Sequence, residues 1–278
     1  MIALFGPLTA VTGAFGLILG SFFNVVIWRV PRHQSVVRPA SACPNCHGQI
    51  RAYDNIPVIS WLLLRGRCRD CSAPISAQYP AVELVTGLAF AVVAIGYVPA
   101  LLAAEGGRAT AAGVLDLVAF LVLAAASVVL SGIDLSVHRL PDVIVLPTGI
   151  AGAVLLSTAA LLHSDPFAIA RAGIGAAVMF LVYFAIAFVK PGAMGFGDVK
   201  LAAVLGLFLG YLGWPQLVVG FFAAFVLGGL TGIALILARR AGRRSGIPFG
   251  PCMFAGAWVG IFAGVPLARA YLNFVGLG

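Results

Sequence analysis

Two aspartates lie where long apolar segments end, and their positions suggest chemistry at a membrane surface. Asp198 belongs to the hexapeptide Gly195-Phe196-Gly197-Asp198-Val199-Lys200, and Asp134 closes the apolar segment 130–134. An ionisable residue beside a membrane segment is costly unless it has a partner or a function. Two carboxylates that share a site cannot both ionise easily, so one holds a proton while the other polarises water. This division of roles is the chemistry of an aspartyl protease.

The residues alone leave two further roles open for this pair. The two carboxylates could line a pathway for ions or protons, or each could be purely structural. Asp198 follows Gly195 and Gly197, and an aspartate after such a turn could cap the next helix. The same glycines leave backbone exposed, so an extended substrate strand could also approach there.

Three further charged residues are expected to support the site. Asp142 begins the segment after Pro141, where a helix N-terminus favours an anion. Lys200 completes the hexapeptide, and Glu83 enters an apolar segment from its inner end. Solvation is sufficient to account for the remaining acidic residues, which are predicted to lie in or beside loops: Asp54, Asp70, Glu105, Asp116 and Asp165.

The elements that carry these residues are predicted to be membrane-spanning helices. Of the 278 residues, 62% are hydrophobic and only 9% are charged, whereas a soluble domain is nearer half apolar and a quarter charged. Charges and Pro/Gly breaks therefore predict an all-α polytopic membrane protein with about eight spans of the roughly 20 residues that a bilayer requires. The predicted spans are 2–28, 80–100, 113–134, 142–162, 167–189, 199–213, 215–238 and 250–274.

The basic residues predict the orientation of these spans. With the N-terminus outside, fourteen of the 17 Lys and Arg residues fall in inner loops, and only Arg108, Arg171 and Arg269 fall outside. Positive charge favours the cytoplasmic side, so this bias accounts for the net charge of +8 without nucleic acid. The cluster Arg239, Arg240, Arg243 and Arg244 is interpreted as a topology signal, with binding of anionic lipid as the alternative.

One inner loop is long enough for a small domain, and it holds two CxxC pairs. Cys43 and Cys46 form the first pair, and Cys68 and Cys71 form the second. Two such turns make a closed site of four thiolates that suits structural zinc. Disulfides are disfavoured by a cytoplasmic location, and a redox pair by the absence of an apparent βαβ unit. The predicted divisions are a first span over 1–30, a tetracysteine domain over 31–79 and a membrane core over 80–278.

Several ordered motifs together resemble the type IV prepilin peptidase family, the leader peptidase/N-methyltransferases of pilus and type II secretion systems. The resemblance covers nearly the whole chain. It rests on residues 19–31, both CxxC pairs, 54–57, Trp61, 64–68, 79–83, Asp134 with 140–142, 193–201 and 248–251.

The resemblance implies that Asp134 and Asp198 are the catalytic aspartates of a peptidase at the cytoplasmic face of the bacterial inner membrane. Its substrates would be prepilins or pseudopilins, and lipid would surround it. The resemblance also implies that the new N-terminal residue is methylated with S-adenosylmethionine, whose binding residues the sequence does not identify. Two alternatives stay open: a peptidase without methylation, and a zinc-clipped transporter that uses the membrane aspartates.

Overall fold

The computed structural model of the protein describes residues 2–190, 194–238 and 248–276. Within these ranges the chain is helical, with isolated bridges but no β-strand. The cluster Arg239, Arg240, Arg243 and Arg244 lies outside the described residues, as does Ala193 of the motif at 193–201. The α-helices are α1 (Ile2–Arg29), α2 (Ile59–Leu63), α3 (Gln78–Ala103), α4 (Gly107–Val137), α5 (Asp142–Leu162), α6 (Pro166–Val189), α7 (Phe196–Leu212), α8 (Trp214–Leu237) and α9 (Gly250–Phe274).

Each of the eight predicted spans corresponds to one long helix, so the all-α membrane fold is confirmed. The largest error in a boundary is at α4, which begins at Gly107 and not at 113. Its first turn includes Arg108, which was expected to end the apolar segment. The guanidinium of Arg108 donates hydrogen bonds to the carbonyl of Leu161 and to Ser164 Oγ, so the charge is accommodated at the helix start.

Seven helices of the described ranges are long and apolar enough to cross a membrane. The exception among the eight is α7, which has 17 residues. At about 1.5 Å per residue it is about 25 Å long, which is less than the roughly 30 Å of a hydrocarbon core. The sixth predicted span is therefore a helix that is shorter than the bilayer is thick.

The chain divides into two compact units, Met1–Ala103 and Ala104–Gly278. In the first unit α1 packs along α3, and the cysteine loop lies between them in sequence. In the second unit the closest helix pairs are α6 with α7, α8 with α9, and α4 with α5. The division predicted at residue 80 separates the cysteine loop from the membrane helices, whereas the division after Ala103 separates two compact units. The predicted division stays a prediction.

Helices α6 and α7 approach closely along a glycine seam formed by Gly175, Gly206 and Gly210. A Cβ atom on Gly175 would collide with the backbone carbonyl of Gly206, and one on Gly210 would lie 2.5 Å from the carbonyl oxygen of Arg171. Without side chains at these positions, the two backbones can pack against each other, as is common between helices in lipid. The seam therefore fixes the position of α7, which carries Asp198.

We expect Gly175→Ala to destabilise the protein by about 1–3 kcal/mol, because an overpacked contact must push the two helices apart. The matched control is Gly173→Ala on the same helix, where an added Cβ meets nothing within 4 Å. Alanine is the better helix former, so the control should be neutral or slightly stabilising. Thermal unfolding of the two variants in detergent tests this; equal melting temperatures would contradict it.

Candidate functional site

Asp134 is a buried carboxylate held by the first residue of another helix. It lies in the last turn of α4, with 5% of its surface exposed. Its Oδ2 atom accepts a hydrogen bond of 2.9 Å from the backbone N–H of Gly250, where α9 begins. The C-terminus of α4 is unfavourable for a negative charge, but the N-terminus of α9 offers a free N–H and the positive end of a dipole. This contact accounts for the tolerance of Asp134 at that position.

Gly250 has to be a glycine for this contact to form. A Cβ atom at this position would lie 2.8 Å from Asp134 Oδ2 and 3.3 Å from the side chain of Leu140. The motif that contains Gly250 was part of the family resemblance, but nothing in the sequence indicated that its backbone binds Asp134. The two residues are 116 positions apart.

Asp198 occupies the first turn of α7 and does not cap the helix as an N-cap residue. The helix begins at Phe196, so the N-cap is Gly195 and Asp198 stands three positions later. Its carboxylate accepts a hydrogen bond of 3.0 Å from the backbone N–H of Gly195. Asp198 therefore does help to cap α7, as considered from the sequence, but from the third helical position and not as the N-cap residue. Its side chain accepts a hydrogen bond from a backbone N–H that would otherwise be unpaired at the helix start.

An ion pair ties the starts of α5 and α7 together beside these aspartates. Lys200 Nζ lies 2.6 Å from Asp142 Oδ2. Asp142 is in the first turn of α5, as predicted, and the N-cap of that helix is Pro141. Gly197 contributes to the same packing, because a Cβ atom there would lie 3.0 Å from Leu140 Cβ. Lys200, Asp142 and Gly197 thus position the turn that holds Asp198.

The fold brings Asp134 and Asp198 into the same region of the second unit, around Leu140. Asp134 lies near the end of α4, and Asp198 lies near the start of α7. Leu140, which follows α4 in the chain, lies beside Gly197, the neighbour of Asp198, and beside Gly250, which binds Asp134. Asp134 is buried and Asp198 is half-buried, and neighbouring carboxylates that are partly shielded from solvent share a proton more readily than two fully solvated ones. The arrangement is chemically able to activate water for hydrolysis.

Glu83 belongs to the first unit and stabilises a strained turn there. It is buried in α3, and its Oε2 atom accepts a hydrogen bond of 2.7 Å from the N–H of Val58. Val58 has φ 62° and ψ −48°, which is rare for a β-branched residue and persists only when its surroundings hold it. Asn24 on α1 makes an interhelical bond of 3.1 Å to the carbonyl of Tyr79.

The four cysteines of the CxxC pairs form one cluster, with their sulfur atoms all within 4.8 Å of one another. Cys43 Sγ lies 3.8 Å from Cys71 Sγ, and Cys46 Sγ lies 4.0 Å from Cys68 Sγ. A tetrahedron with metal–sulfur bonds of about 2.3 Å has sulfur atoms about 3.8 Å apart, whereas a disulfide requires about 2.05 Å. The cluster therefore fits a metal ion such as zinc and does not fit disulfides.

The two CxxC turns have the same backbone form. The residue after each pair, His47 or Ser72, has φ 58°, and its N–H donates to the carbonyl of the first cysteine of its pair. The cluster found among the described residues consists of cysteines alone, so His47 is not a member of it. The Asn45 side chain, which donates to Cys71 Sγ at 3.5 Å, and the backbone N–H of Ala73 lower the pKa of Cys71 to about 6, whereas hydrogen bonds with the neighbouring thiols raise the pKa of Cys46 to about 11. A thiolate is the form that binds metal.

Ion pairs fasten the second CxxC turn to the 3-10 helix Ala52–Asn55. Arg69 makes a bidentate contact with Asp54, with distances of 2.6 to 3.0 Å, and Arg51 lies 3.1 Å from Asp70. The Arg69 guanidinium also holds the pKa of Asp54 below its usual range. The expectation that Asp54 is simply solvated was therefore wrong, because its carboxylate is paired with Arg69. Local sequence did not reveal this partner, which lies 15 residues away.

Asp116 was also expected to be solvated, and it is instead the centre of a polar network at the other end of the second unit. Its carboxylate accepts a hydrogen bond of 2.7 Å from Tyr211 and lies 2.9 Å from His163 Nε2. Arg171 donates to the carbonyls of Gly210 and Tyr211. The network joins α4 and α6 to the last turn of α7, so that α7 is fixed at the end opposite Asp198.

Two adjoining cavities of about 510 and 230 Å³ lie in the first unit; the larger is lined by the cysteine loop alone, and the smaller lies between that loop and α1. Ala40, Ser41 and Asn55 line both of them, and Arg51 lines the larger. The larger has the volume of a small-molecule site. Neither is lined by a carboxylate, which a sulfonium cation would favour, so neither is assigned to a methyl donor.

Comparison with known proteins covers both units. The profile described as Bacterial Peptidase A24 N-terminal domain matches residues 14–97, and the profile described as Type IV leader peptidase family matches residues 121–233. No solved structure gave a significant match.

Curated relatives align along most of the chain. The prepilin leader peptidase/N-methyltransferase of Aeromonas hydrophila is 37% identical over 288 residues, which cover 94% of this chain and 93% of the relative. The protein of the same name from Bacillus subtilis is 33% identical over 264 residues, with 93% and 96% covered. The one from Myxococcus xanthus is 42% identical over 248 residues, with 87% and 68% covered. Identity at this level over nearly the full length shows that the chain belongs to the type IV leader peptidase family.

Proposed function

We propose that the protein removes the leader peptide of prepilins or pseudopilins and then methylates the new N-terminal residue. The observation that carries the peptidase assignment is the placement of Asp134 and Asp198 around Leu140, at one end of the second unit, in a member of this family. The relatives are named for both activities, and this supports the assignment of both to this chain. The comparisons favour neither the peptidase without methylation nor the transporter.

In the proposed cleavage step the two carboxylates share one proton. The ionised carboxylate takes a proton from a water molecule, and that water attacks the scissile carbonyl. The protonated carboxyl group donates its proton to the carbonyl oxygen. As the C–N bond breaks, the carboxyl group that took a proton from water passes it to the leaving amide nitrogen, and the other carboxylate recovers its proton from the tetrahedral intermediate as the carbonyl re-forms. The two groups titrate as a pair. The Gly250 N–H holds Asp134 and the Gly195 N–H holds Asp198 in fixed orientations.

The position of the aspartates suits a prepilin, which presents a basic leader followed by an apolar helix. Its scissile bond lies where water meets lipid, and both aspartates stand at ends of apolar helices. We place this end of the second unit at the cytoplasmic face, because the basic loops favour that orientation. The N-terminus is then outside, and the cysteine loop is cytoplasmic.

For the second activity we propose S-adenosylmethionine as the methyl donor and a structural zinc ion in the cysteine cluster. The donor supplies a methyl group to the free amine that cleavage exposes. Zinc bound by Cys43, Cys46, Cys68 and Cys71 has a closed coordination shell, so its role is to hold the loop in shape. The sulfur positions support zinc because they already match a tetrahedral site.

Incubation of the purified protein with a prepilin, with and without S-adenosylmethionine, tests the proposed function. We expect a shortened pilin in both reactions, and a product heavier by one CH₂ group only when the methyl donor is present. Mass spectrometry of the intact product distinguishes the outcomes. An uncleaved prepilin would contradict the peptidase assignment, and a cleaved but unmethylated product would contradict the methyltransferase assignment.

A further inference from the structure

Tyr183 on α6 carries a buried hydroxyl group that has no hydrogen-bond partner among the described residues. The side chain is fully buried, with 0% of its surface exposed. Buried polar groups in folded proteins are nearly always hydrogen-bonded, and an exception calls for a physical reason. Phenylalanine would fill the same space without an unpaired hydroxyl, so packing does not account for the tyrosine.

The register of α6 against α7 places Tyr183 opposite Asp198. In the glycine seam, position 171 lies against 210 and position 175 lies against 206. The helices are antiparallel neighbours, so two further steps of four residues along each helix bring 183 to 198.

The Tyr183 ring also packs near the start of α9, where the backbone N–H of Gly250 binds the other aspartate, Asp134. Its centroid lies 6.3 Å from that of Phe249 and 5.4 Å from that of Phe225. Phe249 directly precedes Gly250, whose N–H binds Asp134. Tyr183 is therefore packed between the segment that carries Asp198 and the segment that orients Asp134, which is where an additional donor could act on the pair.

We propose that Tyr183 is a positioning residue for the peptidase reaction, whose hydroxyl donates a hydrogen bond to the Asp198 carboxylate when substrate is bound. In the free protein Asp198 Oδ2 accepts a hydrogen bond from the Gly195 N–H, and the Tyr183 hydroxyl has no hydrogen-bond partner among the described residues. An extended peptide that binds beside Gly195 brings the carboxylate to the hydroxyl, and this second donor fixes its orientation. The inference rests on the proposed peptidase function.

The test is Tyr183→Phe, which removes only the hydroxyl. We expect kcat for leader removal to fall by about 10-fold to 100-fold, the range found for groups that orient a catalytic ligand, with KM within about twofold of wild type. The melting temperature in detergent should be unchanged or higher, because an unpaired buried hydroxyl has been removed. Methylation of a synthetic mature pilin peptide should be unchanged, since the proposed role of Asp198 is confined to cleavage.

The matched control is Tyr271→Phe on α9, where the side chain is 65% exposed, and it should cleave like wild type. A Tyr183→Phe protein that cleaves at the wild-type rate would overturn the inference. So would a marked loss of melting temperature, because it would show that the hydroxyl already has a structural partner. If wild type itself fails to cleave, the proposed function fails; if wild type cleaves and Tyr183→Phe does too, only this inference fails.

Discussion

Asp134→Asn and Asp198→Asn should each lower kcat for leader removal by about 10³-fold or more, because each removes one of the two groups that transfer protons in the proposed reaction. An asparagine oxygen can still accept the hydrogen bond from Gly250 or Gly195 that the native carboxylate accepts. Both variants should therefore fold and accumulate in membranes. The measurement is single-turnover cleavage of a prepilin, with the amount of folded protein determined in parallel.

The control for this pair of variants is Glu105→Gln, the same carboxylate-to-amide change at an exposed position in the connection between the two units. It should cleave like wild type. Both catalytic variants should still methylate a synthetic mature peptide. Retained cleavage by either aspartate variant would remove that residue from the catalytic pair.

Removal of the metal, by chelation or by the double substitution Cys43→Ser and Cys46→Ser, should unfold the cysteine loop. A loop of this size buries little apolar surface, and a structural zinc site contributes folding free energy of about 10–16 kcal/mol in small peptides. Limited proteolysis should then cut between residues 33 and 77, which wild type resists. Leader removal should persist at a reduced level, because Asp134 and Asp198 belong to the other unit.

Zinc content by elemental analysis decides whether the cluster holds the metal. Wild type should contain one zinc ion per chain, and the double variant none. Cys252→Ser is the matched control, since Cys252 lies alone in α9 beside Thr231, and it should keep both zinc and the folded loop. A wild-type protein without zinc, or a double variant whose loop still resists proteolysis, would contradict the structural role of the metal.

The helices could be predicted from the sequence because local patterns determine them. The boundaries predicted from apolar length, charges and Pro/Gly breaks differ from those of the structure by three residues or fewer at every helix except the start of α4. There the prediction failed because Arg108 finds acceptors at Leu161 and Ser164. A charge that is paired with residues more than 50 positions away does not interrupt a helix, and local composition cannot reveal such a pair.

The candidate site could be predicted only in part for the same reason. Asp134, Asp198 and the cysteines stand out by residue type in an apolar chain, so composition was sufficient to find them. Gly250 was noticed only as part of a motif and Tyr183 not at all, because the contact of Gly250 with Asp134 and the proposed role of Tyr183 depend on contacts that the folded chain creates. The role of Asp116 was missed because Tyr211, its hydrogen-bond partner, is 95 residues away.

The short length of α7 affects how water can reach the scissile bond of a substrate that enters from the lipid. The Asp116 network fixes the last turn of α7 at one end, so the deficit of about 5 Å falls at the end that carries Asp198. Hydrophobic mismatch of this kind is relieved when the bilayer thins locally around the short segment. The aspartates then stand in a shallow depression of the membrane surface, where solvent can enter while the apolar helix of the pilin remains in lipid.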